Sequence, residues 1–226
     1  MNLSPSLHSL TTVSFVTLTA LASSTAAFAQ TFDNGLIRFG NGSEASVNEF
    51  GNLRQPFYYS GAAATFYKLT YSNYPLDVQF GAGTGTHWTG SGIVVNPTLS
   101  GQVVDTSGFT PDGANAGHGT ITSTGTVMVN GFPLQMHQRY TLEPGNSYVA
   151  ITTAVTNTTD STVPNAHMWV GTRDDWVGQS DGPTKTKGRI VDGAFEPIST
   201  VSELAPALQI TSGSEGVLFY STTPGT

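Results

Sequence analysis

The sequence predicts an all-β protein, a large antiparallel β-sandwich. Segments in which apolar and polar residues alternate with period two recur along the chain, as expected of strands buried on one face. Helical periodicity is nearly absent after residue 30, and its one candidate, 201–210, is interrupted by Pro206. Gly, Pro and Asn separate the strand segments at intervals of roughly 8–12 residues, which is typical of a sandwich.

The predicted strand segments follow one another in chain order. They are 64–71, 76–80, 92–96, 119–129, 139–142, 147–157, 163–170 and 216–221. Pro144 and Gly145 suit the two central positions of a type II turn between two of them. Asp192 and Gly193 predict a further hairpin between two short apolar runs. Two Gly-rich segments are predicted to be loops, 81–91 and 105–118.

Residues 1–29 are a predicted secretory signal peptide. They contain no Asp, Glu, Lys or Arg, and their apolar stretch, 13–22, is too short to span a bilayer. Ala27 and Ala29 are the small residues that predict cleavage after Ala29. We therefore expect residues 30–226 to form a single β-sandwich domain that is secreted, periplasmic or on the cell surface, with no membrane span after cleavage.

The end of the chain is a predicted strand followed by turn residues, without a predicted partner strand. Either a short final strand closes the fold, or the sequence is truncated and belongs to a longer reading frame. The sequence slightly favours the second expectation.

Composition excludes several classes of function. The net charge is −7, and only eight Lys and Arg are present, whereas a phosphate backbone requires clustered cations. We therefore expect no nucleic-acid partner. Cysteine is absent, so an exported domain must be stabilised by core burial, and thiolate metal sites are excluded. The histidines are too scattered to predict a zinc site.

Two stretches resemble the galactose mutarotase-like superfamily. The first is NGFPLQMHQRYTLEPGNSYVAITTAVTNTTDSTVPNAHMWV, at 130–170, with its Gly-aromatic-Pro start, its YTL strand and a late Asn and His followed by an aromatic residue. The second, ITSGSEGVLFYSTTPG at 210–225, is similar to a late strand of the family. Together they cover roughly a quarter of the chain. The resemblance implies a supersandwich-like fold, a large antiparallel β-sandwich widely used to hold sugars.

The resemblance also has implications for catalysis. Mutarotases open a sugar ring with a glutamate that takes the anomeric proton while a histidine protonates the ring oxygen. His167 matches one family histidine, although Val-Gly-Thr at 170–172 replaces the family's aromatic-Asn-Leu continuation, and His87 is a loose counterpart of another. The family's glutamate follows the late strand and has no counterpart in these residues. Because an acid without its base is ineffective, we expect binding rather than catalysis; an enzyme would use His167 with Asp175.

The strand at 163–170 offers a first candidate binding face. Alternation places His167 and Trp169 on one face, and Met168 and Val170 on the other. In a functional interpretation, Trp169 stacks on a sugar ring and His167 binds a hydroxyl. In the structural interpretation, which is favoured, Trp169 belongs to the core and His167 is a half-buried polar residue. Two further candidate ligand-binding residues are His87 and Trp88.

The following loop offers a second candidate site. Its candidate ligand-binding residues are Arg173, Asp174, Asp175 and Trp176. Asp174, Asp175 and Asp181 could supply oxygens to Ca²⁺, which takes roughly six to eight oxygen ligands, but their spacing does not fit an EF-hand. A structural ion pair between Arg173 and an Asp is the favoured interpretation. No cofactor is predicted, and Ca²⁺ is kept as an alternative.

Two further groups have both a functional and a structural interpretation. A basic loop holds Lys185, Lys187 and Arg189, which could contact an acidic polysaccharide or, as we favour, simply face water. A dense aromatic group could line a sugar groove, but such groups more often form core and sheet-edge packing. Its members are Phe57, Tyr58, Tyr59, Phe66, Tyr67, Tyr71 and Tyr74.

Taken together, these features favour an exported, non-catalytic β-sandwich protein. Its partner would be a glycan or another cell-surface component, or it would be a module of a larger surface protein. The alternatives are a carbohydrate-active enzyme of the mutarotase-like superfamily, such as an epimerase, and a purely structural surface domain.

Overall fold

The structure is a computed structural model that describes residues 31–42, 44–72, 74–82, 93–113, 116–199 and 205–223. The predicted signal peptide lies outside the described residues, as do His87 and Trp88. The all-β prediction is confirmed, because the regular elements of the described residues are strands apart from a single 3-10 turn, Val177–Gln179.

The strands are short except for two long central ones. In chain order they are β1 (Thr31–Asp33), β2 (Ile37–Phe39), β3 (Pro56–Ser60), β4 (Thr65–Lys68), β5 (Asp77–Gly81), β6 (Ile93–Val95), β7 (Ser100–Asp105), β8 (Phe109–Pro111), β9 (Ala116–Val129), β10 (Phe132–Leu142), β11 (Ala150–Asn157), β12 (His167–Gly171), β13 (Thr184–Val191), β14 (Ala194–Pro197), β15 (Ala207–Ser212) and β16 (Glu215–Tyr220).

These strands form three sheets. The largest has the order β11-β10-β9-β1-β2-β3-β4, and β7 and β8 also pair with β9. A second sheet has the order β12-β5-β6, and a third has the order β14-β13-β15-β16. Every named pairing is antiparallel except that of β1 with β9. The architecture is thus consistent with the predicted antiparallel sandwich.

Two apolar cores join the smaller sheets to the large one. In the first core, Val217 and Phe219 of β16 pack against a cluster that includes Ile121 of β9 and Leu142 of β10. In the second core, residues of β5, β6 and β12 pack against the other end of β9 and β10. Burial of apolar surface on one side of each strand is what stabilises such a stack of sheets.

A row of polar side chains separates the two cores. Ser123, Gln138 and Thr153 stand opposite one another on β9, β10 and β11. Ser123 and Gln138 are fully buried. Among the described residues, neither amide atom of Gln138 nor the buried hydroxyl of Thr153 has a hydrogen-bond partner. We call Ser123, Gln138 and Thr153 the polar row.

The predicted turns agree with the structure. Gly145 has a φ of 75°, and Asn146 N–H donates to the carbonyl of Glu143 at 3.3 Å, as in a type II turn. Asp192 and Gly193 both have positive φ and join β13 to β14.

Two loop predictions were wrong. The segment 105–118 contains β8 and the beginning of β9, and the basic residues from Lys185 to Arg189 lie on β13 rather than in a loop. Both segments are rich in Gly or Thr, so they show no clear alternation of apolar and polar residues. They form strands because they pair with neighbouring strands: β8 pairs with β9, and β13 pairs with β14 and β15.

Candidate ligand-binding site

Strand β12 has two different faces, as the alternation predicted. Met168 and Val170 pack on the second core. His167 and Trp169 alternate with them and are half-buried, and His167 stands opposite Gly81 of β5. The face that carries His167 and Trp169 is therefore turned away from the apolar core.

The ring of His167 is fitted into the sheet. Its Nδ1 lies 2.8 Å from the carbonyl oxygen of Asn165. Because a carbonyl oxygen can only accept, Nδ1 carries a proton and donates it to this oxygen. The Nε2 edge is buried and occupies the space that a Cβ on Gly81 would fill. This arrangement favours the structural interpretation of His167.

Trp169 lies beside two residues of the same face. It stands opposite Gln79 of β5, and its six-membered ring covers Gly171, where a Cβ would come within 2.6 Å of Cζ2. Half of the indole is thus used for packing within the sheet, which leaves a limited surface for a ligand.

His167 and Asp175, the pair considered for catalysis, lie towards opposite ends of β12: His167 is its first residue, and Asp175 follows its last. His167 begins the strand and Gly171 ends it, so about 13 Å of extended chain separates them at about 3.3 Å per residue. Asp175 follows further on and forms a bridge with Thr70 instead. An acid and a base that act on one substrate must both reach it by hydrogen bonds, and this geometry offers no such convergence.

Arg173 forms an ion pair with a buried carboxylate, as the structural interpretation predicted. Its backbone N–H and its guanidinium donate to Asp77 at 2.8 and 3.1 Å. Asp77 also accepts from the Nδ2 of Asn96 at 2.7 Å. The partner is on β5 and not in the loop, so the bond ties the loop to the second sheet.

Asp175 is buried and is bound to the third sheet. Its Oδ1 lies 2.8 Å from the Nζ of Lys185 on β13. Its Oδ2 is buried and has no hydrogen-bond partner among the described residues. The side chain is only 4% exposed, which leaves it little access to a ligand.

The three carboxylates considered for Ca²⁺ are not gathered in one place. Asp175 is paired with Lys185, whereas Asp181 is exposed in the turn before β13. Within the described ranges, no group of three or more His, Asp or Glu side chains is arranged to hold a metal ion.

Trp176 and Tyr71, which are far apart in the sequence, are in contact and form one aromatic surface. Their ring centroids are 4.9 Å apart at an interplanar angle of 57°. Backbone hydrogen bonds on either side of Asp175 hold them in place: Tyr71 N–H donates to the Asp174 carbonyl, and Trp176 N–H donates to the Leu69 carbonyl, each at 2.7 Å.

The tyrosine side chains at this contact are exposed to solvent. Tyr71 is 52% exposed and Tyr74 is 49% exposed. Tyr74 follows in a turn closed by its N–H on the Tyr71 carbonyl at 3.2 Å. Arg173, with 47% of its side chain exposed, lies close along the chain. We call Tyr71, Tyr74 and Trp176 the aromatic platform.

Comparison of the chain with family models, with curated protein sequences and with solved structures gives no match. The resemblance to the galactose mutarotase-like superfamily therefore stays a prediction from the residues that carry it.

The basic residues of β13 do not form a free cationic surface. Lys185 is paired with Asp175, and Arg189 is paired with Glu196 across the β13–β14 hairpin at 3.1 Å. Lys187 also has an interaction partner. The ion pairs of Lys185 and Arg189 favour the structural interpretation of these basic residues.

The sequence carried one usable signal for the aromatic platform. Tyr71 and Tyr74 belong to a segment unusually rich in Tyr, but the composition does not say which rings face solvent. In the structure, Tyr58 and Tyr67 pack edge-to-face at 6.2 Å within the β3–β4 hairpin. Only the end of the segment, beyond β4, reaches Trp176.

None of the described residues belongs to a helix with the length and apolar character that a membrane crossing requires.

Proposed function

We propose that the protein is an exported, non-catalytic β-sandwich module that binds a glycan at the aromatic platform. The observation that carries this proposal is the contact between Tyr71, which is 52% exposed, and the half-buried Trp176, with ring centroids 4.9 Å apart and backbones fixed by hydrogen bonds. Large exposed aromatic rings held in one place mark interaction sites more often than chance surface residues do. They offer a rigid apolar face at a small cost in conformational entropy.

The chemistry of a sugar fits such a surface. A pyranose presents an apolar C–H face that packs on an aromatic ring, and hydroxyls around its rim that need donors and acceptors. The platform supplies both kinds of partner, since Tyr and Trp carry a polar group at the edge of an apolar ring. The guanidinium of Arg173 and the carboxylate of Asp174 add polar groups beside it.

A non-catalytic role is supported by the state of the titratable groups nearby. Asp175 is buried in an ion pair with Lys185, and Asp77 is bound by Arg173 and Asn96. The His167 Nδ1 is bound to the Asn165 carbonyl. These groups have structural contacts, and among the described residues no acid and base converge on the platform.

A glycan array on the full chain tests the proposal. We expect binding that falls at least about fivefold in Tyr71→Ala and Trp176→Ala, because stacking contributes roughly 1–3 kcal/mol per ring. Trp176→Phe should keep part of the affinity, since an aromatic ring remains.

Tyr220→Ala and Tyr148→Ala are matched controls. Both tyrosines are about as exposed as Tyr71, at 53% and 54%, and lie on other parts of the surface. Binding that Trp169→Ala weakens but Tyr71→Ala does not would move the site to β12. Absence of any glycan binding would contradict the proposal and favour a purely structural module.

A further inference from the structure

Strand β11 is an uncovered edge of the largest sheet. It pairs with β10 on one side, and no described strand pairs with it on the other. Its eight residues extend over about 27 Å at roughly 3.4 Å each. In an antiparallel ladder, alternate residues direct their N–H and C=O groups away from the partner. Half of the backbone groups of β11 are therefore directed away from β10, and no described strand pairs with them.

The usual protections of an edge strand are missing from β11. Edges are commonly guarded by charged side chains, Pro or a bulge, which prevent pairing with another chain. The strand AITTAVTN contains none of these residues, and its pairing with β10 continues without a register shift. An edge of this kind is a template for another strand.

The polar row ends at this edge. Thr153, on β11, stands opposite Gln138, and its buried Oγ1 has no hydrogen-bond partner among the described residues. A buried polar group without a partner is costly and calls for a missing partner. Because Thr153 is the outermost member of the row, a strand that pairs at this edge would extend the row.

We propose that β11 pairs with β11 of a second copy of this chain, antiparallel, about a two-fold axis through Thr153. This register keeps the inner faces of both sheets on one side. Thr153 then faces its own counterpart, and Ile151 faces Val155 of the second copy. Pairs of Thr and pairs of β-branched residues are favourable neighbours across antiparallel strands.

Two features favour a second copy over another partner. An isologous interface needs a self-complementary strand, and β11 carries no charge that would meet its own sign across the axis. The row Ser123-Gln138-Thr153 would also continue without interruption into the same row of the second copy. The aromatic platform adjoins β4, at the opposite end of the sheet order, so this pairing is independent of glycan binding.

Sedimentation velocity of the full chain tests the pairing. We expect a reversible monomer–dimer equilibrium between about 1 μM and about 1 mM. A chain that remains monomeric over this range would overturn the proposal.

Charge variants test the register. In the proposed pairing, Thr152 faces Ala154 of the second copy, and both residues are exposed. The double variant Thr152→Lys/Ala154→Lys should weaken dimerisation at least about tenfold, because like charges stand opposite each other. The double variant Thr152→Glu/Ala154→Glu should do the same. An equimolar mixture of the two should form a heterodimer.

The matched control is Gln135→Lys/His137→Lys. These residues are exposed on the neighbouring strand β10, so the variant adds the same charge on the same sheet but away from the edge. It should dimerise nearly as the unmodified chain does. Equal weakening by the control, or failure of the mixture to restore association, would overturn the register.

Thr153→Val separates pairing from folding. Removing an unpaired buried hydroxyl should raise the melting temperature of the monomer, whereas losing the Thr–Thr contact should weaken the dimer by roughly two- to tenfold. A dimer of unchanged affinity would show that Thr153 does not lie on the axis.

Discussion

Asp77 binds Arg173 twice, accepting from its backbone N–H at 2.8 Å and from its guanidinium at 3.1 Å. We expect the two side chains to contribute unequally to the stability of the fold, because the Asp77 side chain is 3% exposed and the Arg173 side chain is 47% exposed. The carboxylate satisfies buried donors, whereas the guanidinium is largely screened by water. This asymmetry predicts different outcomes for the two truncations.

Asp77→Ala should lower the free energy of unfolding by roughly 3–5 kcal/mol, because Asn96 and the Arg173 N–H lose their acceptor. Arg173→Ala should cost only about 0.5–1 kcal/mol. Urea denaturation measures both values. Equal losses of unfolding free energy in the two variants would contradict the idea that Asp77 stabilises the fold mainly by accepting from Asn96 and the Arg173 backbone N–H.

Gly81 is required by the ring of His167. Gly81→Ala should destabilise the fold by about 1–3 kcal/mol, since the new methyl group overlaps the imidazole. Adding His167→Ala should recover part of the loss by freeing that space. Gly182→Ala is the control, because nothing lies within 4 Å of its Cβ position. Thermal melting of the unmodified chain, Gly81→Ala, His167→Ala and the double variant gives the coupling between the two sites. Strictly additive losses of stability would argue against the contact.

Gln138 is a polar residue at a core position. Gln138→Met should stabilise the protein by about 1 kcal/mol and raise its melting temperature by about 2–4 °C, because both buried amide atoms lack hydrogen bonds among the described residues. Gln135→Met, on the exposed face of the same strand, should change neither value. A lower melting temperature for Gln138→Met would mean that the amide is satisfied in solution, for instance by a buried water.

Tyr140 predicts the response of the protein to alkaline pH. Burial raises the pKa of the Tyr140 hydroxyl, and the neighbouring Gln138 side chain offsets only part of this rise. Burial also raises the pKa of Tyr58. The folded state therefore keeps protons that the unfolded chain releases above pH about 10, so stability should fall as the pH rises beyond that value, by up to about 1.4 kcal/mol per pH unit for each tyrosine.

The variant Tyr140→Phe isolates this effect. It should be less stable by about 1–2 kcal/mol at pH 7, since the hydroxyl donates to the Gly51 carbonyl at 2.6 Å. Its stability should then decline less steeply above pH 10. Denaturation series from pH 7 to pH 11 compare the slopes, and an unchanged slope would exclude Tyr140 as the source.

Much of the fold could be predicted from local pattern. The alternation over 147–157 and the turn at Pro144 and Gly145 predicted the β10–β11 hairpin, because each residue of such a pair alternates between core and solvent. The short strands β1 and β3 escaped prediction, and they exist through pairing with their neighbours.

The candidate site could be predicted only in part. Trp176 and Arg173 stood out as aromatic and charged residues after a strand, and the loop does carry the contacts expected of such residues. Their partners, Tyr71 and Asp77, come from the first half of the chain. Spacing along a sequence gives no information on contacts between residues so far apart, so neither the aromatic platform nor the ion pair could be identified in advance.

The segment from Arg173 to Gly178 touches all three sheets. Arg173 is bonded to Asp77 of the second sheet, and Asp175 is paired with Lys185 of the third. The Trp176 N–H donates to the carbonyl of Leu69, directly after β4, and the Gly178 N–H donates to the Tyr58 hydroxyl at 2.9 Å. The backbone N–H groups of Arg173, Trp176 and Gly178 donate to residues of the first and second sheets or next to them, so we expect their exchange with solvent to require breaking these contacts. Deuterium uptake at Trp176 and Gly178 should therefore be as slow as that of the central strands, although much of the segment has no regular secondary structure.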